Sequence, residues 1–183
     1  MKLYLVRHTK VNLPSGVCYG QSDVGLADSF EDEKNTIIHK LKGLKFDRVY
    51  SSPLKRCVLL ADSLSNNQLE IRYDKRLMEL NFGDWEYKTW DEIEKTDYAK
   101  KWFEDFTNVT CPGGESYQDL LGRAKNFLDD LKKDKTVNNS LIICHSGTIR
   151  AFYSIINNLE PKESFKLQLD FGQILEIELN QEK

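Results

Sequence analysis

The sequence predicts an α/β fold built on a largely parallel sheet, and three observations carry that prediction. Short apolar runs suited to buried strands, Leu3-Tyr4-Leu5-Val6 and Leu141-Ile142-Ile143-Cys144, are separated by segments of helical period. Both runs lead into a histidine, His8 and His145, and strand ends in such sheets open on the crevice where ligands bind. No repeat, low-complexity tract or linker breaks the alternation, so residues 1–183 read as one domain.

The elements follow in order. After the first strand, residues 9–28 form a loop with Pro14 and several Gly, Ser and Asp; connections of that length are usually functional. Ser29, with acids behind it, predicts a helix N-terminus, Phe30, Ile37, Ile38 and Leu41 give that helix its apolar face, and Gly43 ends it. Asp47 to Tyr50 is a second strand. Ser51-Ser52-Pro53 then predicts a capped helix start, and Leu54, Cys57, Val58, Ala61 and Leu64 hold the helical period. Ile71-Arg72-Tyr73 is a third strand, followed by an aromatic and acidic loop from Leu77 to Glu86. Residues 89–106 read as one or two helices, so that 89–111 is a small lid-like excursion closed by Cys111-Pro112-Gly113-Gly114. Ser116 with Asp119 caps a helix whose face is Tyr117, Leu120, Leu121, Ala124, Phe127, Leu128 and Leu131. The strand into Cys144 and a helix over 148–157 come next, and two alternating runs, 165–170 and 174–179, predict strands around Phe171-Gly172-Gln173.

Composition removes several function classes. A net charge of −3 and a pI near 5.7 provide no basic field for nucleic acid or anionic lipid, so any anion site must be built locally. No apolar run reaches the ~20 residues of a membrane span, and Met1-Lys2 leads directly into a strand rather than a signal peptide. Cys18, Cys57, Cys111 and Cys144 have neither CxxC nor zinc spacing and read as reduced, buried thiols of a cytoplasmic protein.

Arg7, His8, Arg56, Glu79 and His145 all fall at strand ends or in the loops that follow. Two arginines, two histidines and a carboxylate suit phosphoryl transfer: guanidinium groups bind phosphate bidentately, and helix N-terminal amides such as those after His145 add donors. A neutral imidazole can attack phosphorus, a carboxyl group can protonate the leaving oxygen, and the cations supply electrostatic stabilisation without a metal or other cofactor.

Five motifs carry a resemblance to a known family. Leu5-Val6-Arg7-His8, Ser51-Ser52-Pro53-Leu54-Lys55-Arg56, Glu79-Leu80-Asn81-Phe82-Gly83-Asp84-Trp85-Glu86, Pro112-Gly113-Gly114-Glu115-Ser116 and Cys144-His145-Ser146-Gly147-Thr148-Ile149-Arg150 resemble the histidine phosphatase superfamily, the phosphoglycerate mutase-like group. The resemblance implies a three-layer phosphoglycerate mutase-like fold and a metal-independent phosphomonoesterase. It makes His8 the phosphorylated nucleophile, Arg7, Arg56 and His145 the rest of the phosphate pocket, and Glu79 the proton donor. Amides near Gly20 and Ser146 would surround the phosphate, with Lys10 a candidate point charge at the rim.

Val17-Cys18-Tyr19-Gly20-Gln21-Ser22-Asp23-Val24 is most similar to alpha-ribazole phosphatases, which implies dephosphorylation of alpha-ribazole 5′-phosphate in cobalamin biosynthesis. Another sugar phosphate, nucleotide or phosphoamino acid, a mutase-like reaction, or non-catalytic binding of a phosphorylated ligand are the alternatives. The expected partner is a small-molecule phosphate ester, and the chain is read as a monomer or homodimer. The family pattern is broken where glycine is usual at Thr9 and at Tyr87, where an acid or glutamine is usual at Lys10, and where Pro14 takes the place of an asparagine.

Overall fold

The computed structural model describes residues 1–65 and 69–180. Five strands, β1 (Lys2–Arg7), β2 (Arg48–Ser51), β3 (Ile71–Tyr73), β4 (Asn139–Cys144) and β5 (Ile174–Glu178), form one sheet in the order β3-β2-β4-β1-β5. All neighbours are parallel except β5, which runs antiparallel to β1 at the edge.

The two-residue period of a strand sends alternate side chains to opposite faces, and here both faces are covered. Leu3 and Leu5 of β1, with Tyr50, Ile142 and Cys144, pack under α5 (Tyr117–Lys133) and α6 (Ser146–Asn157). Tyr4 and Val6, with Val49, Leu141 and Ile143, pack against α1 (Phe30–Leu41) and α2 (Lys55–Ser65). Helices, sheet and helices make the three layers the sequence predicts.

Register decides what leaves the sheet together. Arg7 is paired with Cys144, so the next residues of β1 and β4, His8 and His145, emerge side by side. Ser51 of β2 is paired with Ile143, which brings Ser52 and the start of α2 to the same edge.

Several expectations need correction. Residues 165–170 are not a strand. After a short helix α7 (Pro161–Ser164), Phe165 packs edge-on against Phe106 at 4.7 Å, and the carbonyls of Leu167 and Leu169 accept from Arg150 and Arg7. Those carbonyls hold arginines instead of a strand ladder. Ser29 makes no cap bond; its hydroxyl donates to Glu33 instead. Ser51 remains in β2 and α2 begins only at Lys55, whereas the Ser116–Asp119 capping box is formed as expected.

The excursion holds two short helices, α3 (Trp90–Ile93) and α4 (Asp97–Glu104), entered by way of Tyr87 and Lys88. Backbone bonds strap its start to the first loop: Cys18 N–H donates to Lys88 O, Tyr87 N–H to Cys18 O and Trp90 N–H to Gly16 O. Tyr87, where the family pattern has glycine, has φ +67°. A left-handed conformation costs an L-residue about 1–2 kcal/mol, and glycine gives back about 0.5–1 kcal/mol in unfolded-state entropy. Tyr87→Gly is therefore expected to raise the melting temperature by about 2 °C. A clear drop in a thermal melt would mean that the Tyr87 hydroxyl bond to Asp23 O, 3.3 Å long, outweighs the backbone term.

Candidate active site

His8 leaves β1 almost fully buried, and its Nδ1 lies 2.7 Å from the Thr9 carbonyl oxygen. A carbonyl only accepts, so Nδ1 carries the proton and Nε2 keeps its lone pair. The imidazole packs 5.0 Å from that of His145 and 5.6 Å from the Phe171 ring, centroid to centroid. Burial, together with the Arg56 and Arg7 guanidinium groups, holds His8 well below the usual histidine range, against a smaller upward pull from the Thr9 carbonyl. The ring is therefore neutral and has a free nitrogen.

His145 is fully buried. Its Nδ1 faces Arg56 Nη2 at 3.2 Å and its Nε2 faces Ser52 Oγ at 2.8 Å. Guanidinium groups only donate, which fixes the tautomer: Nδ1 accepts and Nε2 donates to the serine. Burial, then Arg56 and His8, depress its pKa as well. Ser52, read from sequence only as a helix cap, thus orients a histidine while its oxygen also accepts from Leu54 N–H at 3.3 Å.

Arg56 enters from the first turn of α2 with no exposed surface, and its Nη1 and Nη2 donate to the carbonyls of Ser22 and Gly20 at 2.9 and 2.6 Å. It lies 5.1 Å over the Tyr19 ring. Arg7, at the end of β1, rests 3.9 Å over Phe171 and donates to Leu169 O.

Glu79 sits across from these groups. Its Oε1 accepts from Leu80 N–H at 3.0 Å, and its Oε2 accepts from Gly147 N–H at 3.1 Å and Ser146 Oγ at 3.4 Å, so the carboxylate is held at the N-terminus of α6. A Cβ on Gly147 would fall 2.1 Å from Oε1, and only glycine permits this approach. Arg123 of α5 fixes the backbone behind it. Its Nη1 donates to Arg76 O and Met78 O at 2.8 and 2.6 Å, its Nη2 to Glu79 O at 2.8 Å, and its other contacts go to Glu115.

These groups surround a cavity of about 220 Å³. Arg7, His8, Gly20, Glu79 and Ser146 line it; Arg56 and His145 lie directly behind that wall. Lys10 is exposed, its N–H donating to Glu33, and it does not line the cavity. Gly20 lines it, but its carbonyl is given to Arg56. The rest of the lining is largely aromatic, with Phe82, Trp90, Trp102, Phe106 and Tyr117 among the residues, and one further cation, Arg150.

Sequence reasoning missed Ser52, Arg123 and Arg150 as site residues, and it read Glu115 as part of a helix start and Glu86 as an ordinary loop acid. Glu86 accepts from the backbone N–H groups of Gln21 and Ser22 and so shapes the loop carrying Gly20. Four of these five already stood inside quoted motifs, Arg150 among them at little more than one helical turn past His145; only Arg123 lay outside.

Known proteins resemble the chain along nearly its whole length. The family described as "Histidine phosphatase superfamily (branch 1)" matches residues 3–183. An adenosylcobalamin/alpha-ribazole phosphatase of Escherichia coli (strain K12) is 26% identical over 99% of this chain and 91% of its own. Phosphoserine phosphatase 1 of Hydrogenobacter thermophilus is 26% identical over 93% of this chain and 82% of its own. The crystal structure of the alpha-ribazole phosphatase from Shigella flexneri superposes with a TM-score of 0.91 at 23% identity, covering 99% of this chain and 92% of that one.

Proposed function

The chain belongs to the histidine phosphatase superfamily and is a phosphatase, and from that premise we propose that it hydrolyses alpha-ribazole 5′-phosphate through a phosphohistidine at His8. The carrying observation is the state of His8: neutral, with Nδ1–H spent on Thr9 O, which leaves Nε2 for attack in a cavity that Arg7 also lines. In the first half-reaction Nε2 attacks phosphorus, the P–O bond to the alcohol breaks, and Glu79 gives its proton to the leaving oxygen. Water then attacks phosphorus, a P–O bond forms as the P–N bond to His8 breaks, Glu79 takes the water's proton, and neutral His8 and inorganic phosphate are released. Arg7, in the cavity wall, faces the phosphoryl oxygens, and Arg56, just behind that wall, adds its charge to their stabilisation while His145, both nitrogens spent on Arg56 and Ser52, keeps it in place. No step calls on a metal or cofactor.

The aromatic wall of Phe82, Trp90, Trp102 and Phe106 supports a flat heteroaromatic leaving group. A phosphoamino acid is the second reading, favoured by the Arg150 guanidinium, which offers a carboxylate a partner. The cysteines, free and buried, suit the reducing cytoplasm in which we place the enzyme.

The test is kcat/KM over a panel of phosphate esters in EDTA. Alpha-ribazole 5′-phosphate is expected to exceed phosphoserine and simple sugar phosphates by at least about tenfold, a gap of about 1.4 kcal/mol in transition-state binding. A flat profile would remove the substrate assignment and leave the chemistry.

Glu79's placement makes its own prediction. Gly147→Ala puts a methyl group against the carboxylate, and a displacement near 1 Å costs about 10²-fold in kcat on an alkyl ester. p-Nitrophenyl phosphate, whose leaving group needs little protonation, should lose much less. Equal losses on both esters would argue against Glu79 as the proton donor.

A further inference from the structure

The arginines of this fold are spent unequally. Arg76 is paired with Asp74 and Asp130, and Arg123 with Glu115 and three carbonyls. Arg150, half-buried in the wall of the cavity, has one hydrogen bond, from Nη2 to Leu167 O at 3.2 Å. Its Nε is buried with no hydrogen-bond partner, and no carboxylate is paired with it, among the described residues. Burial depresses its pKa. A half-buried guanidinium with no carboxylate in contact, and only the more distant Glu79 charge opposing its desolvation, is costly, and a ligand's acceptor would offset that cost.

Its position says which part of a ligand that is. α6 begins at Ser146 and Gly147, beside the Glu79 carboxylate, and Arg150 follows Ser146 by four residues, roughly 6 Å along the axis. The group that protonates the leaving oxygen thus stands at the head of the helix, and Arg150 lies one turn beyond it. The guanidinium also sits 5.2 Å over Phe165, so a flat cation continues the aromatic wall.

We infer that Arg150 is a specificity-determining residue that reads the leaving group, stacking with Phe165 as a platform for its ring and presenting unspent N–H donors to an acceptor atom on it. This rests on the phosphatase reading of the site, with the phosphoryl group at His8. For alpha-ribazole the acceptor is a ribose hydroxyl or a ring nitrogen; for a phosphoamino acid it is the carboxylate.

The experiment measures kcat/KM of wild type, Arg150→Ala and Arg150→Lys on alpha-ribazole 5′-phosphate, phosphoserine and phenyl phosphate, which has an aromatic leaving group with no further acceptor. The readout is the ratio of each substrate to phenyl phosphate. Arg150→Ala is expected to lower the ratio for the nucleotide by about 30-fold, chiefly through KM, and Arg150→Lys to recover only part of it because the planar fork is lost. If wild type prefers phosphoserine and that ratio falls instead, the nucleotide assignment fails while the leaving-group role of Arg150 stands. If the substitutions lower all three substrates equally, or leave every ratio within twofold of wild type, the inference is overturned. Thermal melts of both variants separate a folding defect from these outcomes, and the lysine variant, which keeps a donor for Leu167 O, serves if the alanine variant is unstable.

Discussion

His8→Ala is expected to lower kcat by at least about 10⁴-fold, near 5.5 kcal/mol of transition-state stabilisation, while the protein stays folded. The reason is local. His8 Nδ1 is committed to the Thr9 carbonyl, so Nε2 is the ring nitrogen left to attack, and the alanine variant has nothing in its place. His145 cannot substitute, because its two nitrogens are held by Arg56 and Ser52. Wild type quenched in base with a labelled phosphate ester should carry about one phosphoryl group per chain, stable in base and lost in acid as a phosphoramidate is; the variant should carry none. Retention of activity within tenfold, or a phosphoenzyme in the variant, would remove the covalent mechanism.

The strands carrying His8 and His145 were legible because a continuous apolar run ending on a polar residue is what a buried parallel strand looks like. What could not be read was the register that sets Arg7 against Cys144 and brings the two rings to 5.0 Å, since pairing is a long-range property. The error at 165–170 has a similar origin. Of the alternating residues there Leu169 is buried and Leu167 half-buried, but Phe165 stays exposed in a turn while resting on Phe106 and Tyr117, and the carbonyls are turned toward Arg7 and Arg150. Glu79 was found through its motif, whereas Arg123, forty-four residues later, is an ordinary helical arginine until the structure aims it at three carbonyls. Sequence points to groups that react more readily than to groups that hold them in place.

The same burial that keeps the two histidines neutral makes stability fall in acid. Both folded-state pKa values lie well below the unfolded value near 6.5. Below pH 6.5 the unfolded chain takes up protons that the folded chain refuses, so unfolding is favoured as pH falls and the full contribution is present only above that value. Each ring then removes up to about 1.4 kcal/mol per pH unit between 6.5 and its own lowered pKa, and the pair up to about 2.7. Urea unfolding from pH 8 down to pH 5 should show that slope. His8→Asn and His145→Asn, which place a neutral group at each position, should each remove about half of it. Activity is expected to run the other way, with the acid limb of kcat/KM lying below pH 6.5 because the nucleophile stays deprotonated there. If His8→Asn keeps the wild-type slope, that ring is charged in the folded protein. The neutral nucleophile, and the attack built on it, would then be lost together.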